Sequence, residues 1–418
     1  MSQGAVSEAV RFTVNGRTYS PPARPMVVIC IDGCGDEYLS TSLARGCMPH
    51  TAELIARGYR GLARAALPSF TNVNNAAIVT GMPPRVTGIS GNFFLDRETG
   101  QQVMMNDARY LRCDTILAAA ARAGRRVAAV TAKQKLRDIL SKDLEGIAFS
   151  AEKADEATEA NDGISGVCEL VGRPKPAIYS GDASVFVLAA GAALIEQGLA
   201  DFLYLSLTDY MQHKFAPDTP ESLEFHRQLD DEIGRMLDAG AVIAATADHG
   251  MNAKNTPDGE PNVIFVQSLL EEAFGAGFEV LCPITDPYVV HHGALGSLVM
   301  VHLDDPSKAD AVARHLLSID GITEVYDREM AVRKLELPED RIGDLVVLSG
   351  RDVALGRSPA DHDLSLLDGG LRTHGGRYEE MVPLVLSEPL TGEWAARAAG
   401  DPRNFDIFDF ACNAVHAP

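Results

Sequence analysis

From residue 26 onward the spacing of apolar and polar positions alternates between two patterns. Short unbroken apolar runs recur as "MVVICI" (26–31), "RRVAAVTA" (125–132), "DFLYLSL" (201–207) and "AVIAATA" (241–247). Their length and β-branched content suit strands buried on both faces. Between them lie segments of helical spacing. "PHTAELIARG" opens on Pro49 and closes on Gly58, the start and stop residues helices favour. "NNAAIVTG", "CDTILAAAARAG", "ASVFVLAAGAALIEQG" and the amphipathic "ESLEFHRQLDDEIGRMLDAG" read as further helices. The alternation predicts an α/β fold: a mostly parallel central sheet with helices on both faces. Ligands of such sheets collect at the carboxyl ends of the strands. The first thirty residues, as far as "SPPARP", are poorly patterned before the first strand.

The rhythm breaks between 255 and 371. This stretch holds "GSLVMVHL", a helical "KADAVARHLLSI", an extended "GITEVYD" and "RIGDLVVLS". It predicts a small α+β cap insertion at 255–371 in a catalytic core made of 1–254 and 372–418. "MVPLVLS" and "FDIFDFACNAV" would then return to the main sheet as its last strand and helix.

Charge narrows the partners. The chain has 37 basic and 58 acidic residues, a net charge of −21. Nucleic acid is excluded as a partner, because phosphate backbones need a basic face. A small anionic substrate remains open, provided local cations overcome the global field. No apolar run approaches the ~20 residues of a spanning helix, and the opening residues lack the pattern of a secretory signal. A cytoplasmic protein with no membrane partner is expected, with a homodimer left open. The seven cysteines are widely spread and form no C-x-x-C pair, as for free thiols in a reducing compartment.

Chemistry gathers where the apolar runs end. Asp32 follows the first run. Asp209 follows "DFLYLSL", with His213 four residues on, and Asp248 and His249 follow "AVIAATA". His374 lies in "THGGRYEE", shortly before "MVPLVLS". Singly, each has an ordinary use: a turn or cap former, a contact across one helical turn, a structural imidazole. Together they place three carboxylates and three imidazoles at one end of the predicted sheet. That mixed oxygen and nitrogen set suits Zn²⁺, Mn²⁺ or Fe²⁺, and six ligands suit two ions rather than one. Thr71, in "ALPSFTNVNNAAIVTG", stands at the amino end of a helix, either as its N-cap or as a hydroxyl facing an anion site.

The residues Asp32 in "CIDGCG", Thr71 in "PSFTNVNN", Asn92 in "GISGNFF", Asp209 and His213 in "TDYMQHK", Asp248 and His249 in "ADHGM" and His374 in "THGG" resemble the alkaline phosphatase superfamily. The resemblance runs from Asp32 to the closing helix. It is nearest to the phosphonoacetate hydrolases, through Lys133 and Lys135 in "VTAKQKLRDIL". It implies two zinc ions: Asp209, His213 and His374 would hold one, and Asp32, Asp248, His249 and the Thr71 oxygen the other. It also implies a threonine nucleophile and hydrolysis of a carbon–phosphorus bond through a phosphothreonine. Asn92 would steady the phosphoryl oxygens, His213 would also face the substrate, and Lys133 and Lys135, as alternate residues of an extended segment that point to one side, would bind the substrate carboxylate. The alternative is a nucleotide pyrophosphatase/phosphodiesterase-like phosphoester hydrolase. Phe70, Phe93 and Phe94 near the site are its candidates for a nucleoside slot. Lesser candidates are His291 and His292 in the insertion, and Arg64 and Arg85 as anion contacts.

Overall fold

The structure, a computed structural model, describes residues 10–284, 294–367 and 370–414. Among these, seven strands form the main sheet: β1 (Met26–Cys30), β2 (Tyr59–Arg64), β3 (Val127–Thr131), β4 (Ile147–Ser150), β5 (Phe202–Ser206), β6 (Val242–Thr246) and β7 (Met381–Leu386). Their order across the sheet is β2-β7-β6-β1-β5-β3-β4. The pairs from β6 to β4 are all parallel, and only β7 runs against its neighbours. All five positions of β1, β3, β5 and β6 are buried. That burial is why these strands read as unbroken apolar runs. The long helices Asp182–Glu196 and Pro220–Asp238 pack on this sheet.

A second, four-stranded antiparallel sheet has the order Phe278–Leu281, Leu298–Leu303, Leu345–Ser349, Ile322–Asp327. It has its own buried clusters on either face, one with helix Ala309–Leu317 and one beside Ala331 and Leu335. Asn252–Ala253 pairs antiparallel with Arg372–Thr373. The chain therefore leaves the main sheet and returns to it along adjacent strands.

Two expectations need correction. The entry segment is a hairpin, Phe12–Val14 against Arg17–Tyr19, turned by Asn15 and Gly16 at φ 51° and 77°. The closing "FDIFDFACNAV" is not one helix: from Asn404 to Ala414 it breaks into short 3₁₀, α and π turns. No helix among the described residues is long and apolar enough to cross a membrane. Cys30, Cys34, Cys47, Cys113, Cys168 and Cys412 form no disulfide.

Candidate active site

Four neighbouring strands end in one row. Thr246 lies beside Cys30, Cys30 beside Ser206, and Ser206 beside Thr131. Two or three residues beyond that row come Asp248, Asp32, Asp209 and Lys133. Each apolar run thus delivers one charged side chain to the same edge, as the strand-end rule requires. β7 runs the other way, so the loop before it starts at this edge and brings His374 there. Thr71 arrives from the connection that follows β2 and is the first residue of helix Thr71–Thr80.

Two glycines permit the close approach. Gly33 has φ +70°, and a Cβ there would lie 2.9 Å from Asp209 Cβ. Gly375 has φ +120°, and a Cβ there would lie 2.3 Å from a ring carbon of Phe70. Both conformations are strained for any other residue.

The expected ligands converge. Asp32, Asp248 and His249 offer donor atoms within 4.8 Å of one another, as do Asp209, His249 and His374. His213 Nε2 lies 2.9 Å from Asp209 Oδ2, and His374 Nε2 lies 3.6 Å from the same oxygen. His249 therefore sits between the two groups rather than wholly in one. The rings of His249 and His374 stack with centroids 3.5 Å apart.

The polarity of the imidazoles shows what the cluster needs. Nδ1 of His213 bonds to Arg372 O at 2.7 Å, that of His249 to Gly250 O at 2.9 Å, and that of His374 to Ser69 O at 2.8 Å. Only a protonated Nδ1 can bond to a carbonyl, so a neutral ring turns its Nε2 lone pair to the cluster. Asp32 Oδ1 is buried with no hydrogen-bond partner among the described residues, yet it lies 3.1 Å from His249 Nε2. Two lone pairs at that distance need a cation between them. With only protons available, His249 opposes its burial and is raised to about 10 by Asp248 and Asp32. Burial and the charges of Asp209 and Asp248 push Asp32 well above the carboxylate range. Asp209, despite its burial, is held well below that range by His213, Lys133 and His374. Burial, and then the neighbouring His249, pushes His374 well down. Three buried carboxylates and three pre-oriented imidazoles fit divalent metal ions.

Thr71 Oγ1 lies 3.3 Å from His249 Nε2. The N-cap position belongs to Phe70, and no side chain caps this helix. The hydroxyl thus faces the metal-type cluster instead of its own backbone. Thr71, Asn92, Lys133, Lys135, Asp32, Asp209, His213 and His374 all line one cleft of about 800 Å³, counting its open mouth. Asn92 donates from Nδ2 to Ile284 O at 3.2 Å and retains a second N–H. Lys133 is extended (φ −113°, ψ 140°) and Lys135 lies in the first turn of helix Gln134–Leu140, so the two do not alternate along one strand. Arg64 pairs with Glu380 and Asp401, and Arg85 lies by Glu336; neither lines the cleft. Phe94 packs edge-on to Tyr110, with Arg341 over its ring, while Phe93 packs on the second sheet. Phe70 is the aromatic residue of the three that reaches the cleft. His291 and His292 lie outside the described residues.

Sequence reasoning passed over two supporting groups. Asn75 is fully buried, donates to Asp248 Oδ2 and Thr71 O, and accepts from Tyr204 and Ser206. Lys254 and Glu379 form a buried pair, and Glu379 accepts from Gly250 N and Gly376 N in the turns that carry His249 and His374. Lys254 stands in "ADHGMNAK" and Glu379 in "THGGRYEE", so each is a few residues from a ligand, but nothing in the spacing marked it.

The family model for type I phosphodiesterase/nucleotide pyrophosphatase matches residues 26–377. The chain belongs to that family. The family lies in the alkaline phosphatase superfamily, and the chain is a hydrolase of it. The phosphonoacetate hydrolase of Sinorhizobium meliloti 1021, solved with phosphonoformate and with phosphonoacetate, is 45% identical over 97% of this chain and 99% of its own, with a TM-score of 0.93. Murine ectonucleotide pyrophosphatase/phosphodiesterase 5, solved with AMP, has the same fold at 15% identity over 94% of this chain and 96% of its own, with a TM-score of 0.61.

Proposed function

We propose that this protein hydrolyses the carbon–phosphorus bond of phosphonoacetate to acetate and phosphate. The observation that carries this reading is the presence of Lys133 and Lys135 in the cleft that holds Thr71 and the carboxylate–imidazole cluster. The 45% identical hydrolase bound to phosphonoacetate supports it.

Two divalent ions, zinc with manganese or iron as substitutes, held by Asp209, His213 and His374 and by Asp32, Asp248, His249 and Thr71, would lower the hydroxyl pKa and offset phosphoryl charge. Thr71 Oγ1, its proton given up to solvent, attacks phosphorus in line with the departing carbon. The Thr71 O–P bond forms as the C–P bond breaks, and the electron pair moves onto carbon. An isolated carbanion is too basic to leave. The adjacent carboxylate takes up the charge as an enediolate, held by the ammonium groups of Lys133 and Lys135. A solvent proton added to carbon completes acetate. Water then cleaves the phosphothreonine, releasing phosphate and restoring Thr71.

Asn92 Nδ2 and the Thr71 backbone N–H donate to the phosphoryl oxygens; the first N–H groups of a helix have no intrahelical acceptor. Loss of one such donor costs about 3–4 kcal/mol of transition-state binding. Residues 255–371 serve as the cap, entered and left through the pairing of Asn252–Ala253 with Arg372–Thr373.

The test is phosphate release by the zinc-loaded protein from phosphonoacetate, 2-aminoethylphosphonate, phosphonopyruvate and a phosphodiester. Phosphonoacetate is expected to lead. Faster turnover of the phosphodiester would replace this reading with the nucleotide pyrophosphatase/phosphodiesterase one.

A further inference from the structure

We infer that Glu152 is the positioning residue for the Lys133–Lys135 pair, its carboxylate fixing the turn that presents both ammonium groups to the cleft. The inference rests on the reading that these lysines bind the substrate carboxylate. Lysine ammoniums ride on flexible four-carbon stems, so the backbone beneath must set their reach.

That backbone starts a helix, Gln134–Leu140, whose N-cap position is Lys133. A lysine has no acceptor and cannot cap the helix itself. Glu152 supplies the missing acceptor from another element: Gln134 N donates to its Oε2 at 2.7 Å. The contact is returned, because Glu152 N donates to Ala132 O at 3.1 Å. Glu152 stands on the turn Ala151–Lys153, directly after β4. Ser150, the last residue of β4, donates to Gln134 Oε1 at 2.7 Å, and Thr131 Oγ1 donates to Lys133 O at 2.9 Å. Gln134 is thus drawn to the end of β4 by its backbone and by its side chain, while both lysines flanking it line the cleft. Among these bonds the one to Glu152 is charge-assisted, and its negative charge lies at a helix start, where it is favoured.

The test measures dissociation constants by calorimetry on the zinc-loaded full chain, for phosphonoformate and for inorganic phosphate. The phosphate constant divided by the phosphonoformate constant reports selectivity for a carboxylate and needs no turnover. Lys133→Ala and Lys135→Ala are expected to lower the ratio. Glu152→Ala is expected to lower it about fivefold, the scale of a lost helix cap felt in binding. Glu152→Gln, which keeps an acceptor, should hold the ratio within about twofold of wild type. Glu152→Asp, one carbon shorter, should lie between, and it carries the test if the alanine variant does not fold. An unchanged ratio in Glu152→Ala, or in Glu152→Asp if that variant stands in, with a lowered ratio in the lysine variants, overturns the inference and leaves the lysine reading standing. An unchanged ratio in the lysine variants removes that reading, and the role of Glu152 with it. Equal losses for glutamine and alanine would assign the effect to charge and overturn positioning by the hydrogen bond.

Discussion

Replacing Lys254 by methionine should loosen both histidine-bearing turns at once. The Lys254 and Glu379 side chains are 0% exposed, with Nζ 2.8 Å from Glu379 Oε1 and 2.6 Å from Arg351 O. Glu379 Oε1 also accepts from Asn252 Nδ2 at 2.6 Å, and Oε2 accepts from Gly376 N at 3.0 Å. Its carbonyl accepts from Gly250 N at 2.7 Å. The pair therefore ties residue 250, next to His249, to residue 376, two beyond His374. Methionine fills the space but leaves a buried carboxylate without its cation, which costs about 3–5 kcal/mol. Adding Glu379→Gln removes that charge while keeping acceptor and shape. The double variant should therefore recover more than half of the loss. Urea unfolding of the metal-free protein reads the stability, and zinc calorimetry reads the site. Zinc affinity should fall about tenfold in Lys254→Met, a scale met when groups supporting metal ligands are removed. A stability loss below about 1 kcal/mol would refute the argument, since that is the range of a solvated pair. Additive losses in the double variant would refute it equally, because contacting charges must couple.

Thr71→Ala should lower phosphate release from phosphonoacetate by at least about a thousandfold, while zinc calorimetry still shows metal binding; turnover near wild type would mean that water attacks directly. His226 is pushed down to about 4 by burial, against about 6.5 unfolded. Between those values the unfolded chain holds the extra proton, so stability falls as pH drops through the window, by up to about 3 kcal/mol. His226→Phe should flatten that part of the pH dependence in urea unfolding between pH 7.5 and 5; an unchanged slope would refute it. Raising salt from ~10 to ~150 mM at fixed metal should increase kcat/KM for phosphonoacetate, because screening shortens from ~30 to ~8 Å and hides the distant acidic surface first; a steady fall would refute this.

How much was legible depended on burial. β1, β3, β5 and β6 are buried on both faces and announced themselves as apolar runs. β2 did not: "YRGLAR" is an edge strand, largely half-exposed, with a glycine and two arginines. The entry hairpin has strands of three residues, too short for periodicity, although Asn15-Gly16 is a hairpin turn signal. The acidic and imidazole residues were visible because strand ends mark them. Lys133 and Lys135 do share the cleft, but because a helix starts between them rather than by strand alternation. Asn75 and Glu379 escaped because their partners come from distant elements. Asn75 meets Asp248, Tyr204 and Ser206, and no spacing along the chain encodes that meeting.

Charge joins the fold to the proposed chemistry. A protein of net charge −21 repels an anion at long range. The cluster alone makes this worse, since Asp32, Asp209 and Asp248 are all buried at one edge. On the proposed reading, two divalent ions outweigh those three carboxylates by one charge, and Lys133 and Lys135 raise the excess to three. Ionising Thr71 brings it back to two. A phosphonate that also carries a carboxylate has two or three negative charges and matches that excess, with one end suited to the metals and the other to the lysines. A phosphodiester has one negative charge and nothing for Lys133 and Lys135 to hold. On that reading the lysine pair favours a carboxylate-bearing phosphonate over a phosphodiester. The same excess lets a strongly acidic chain bind a small anion once the long-range field is screened.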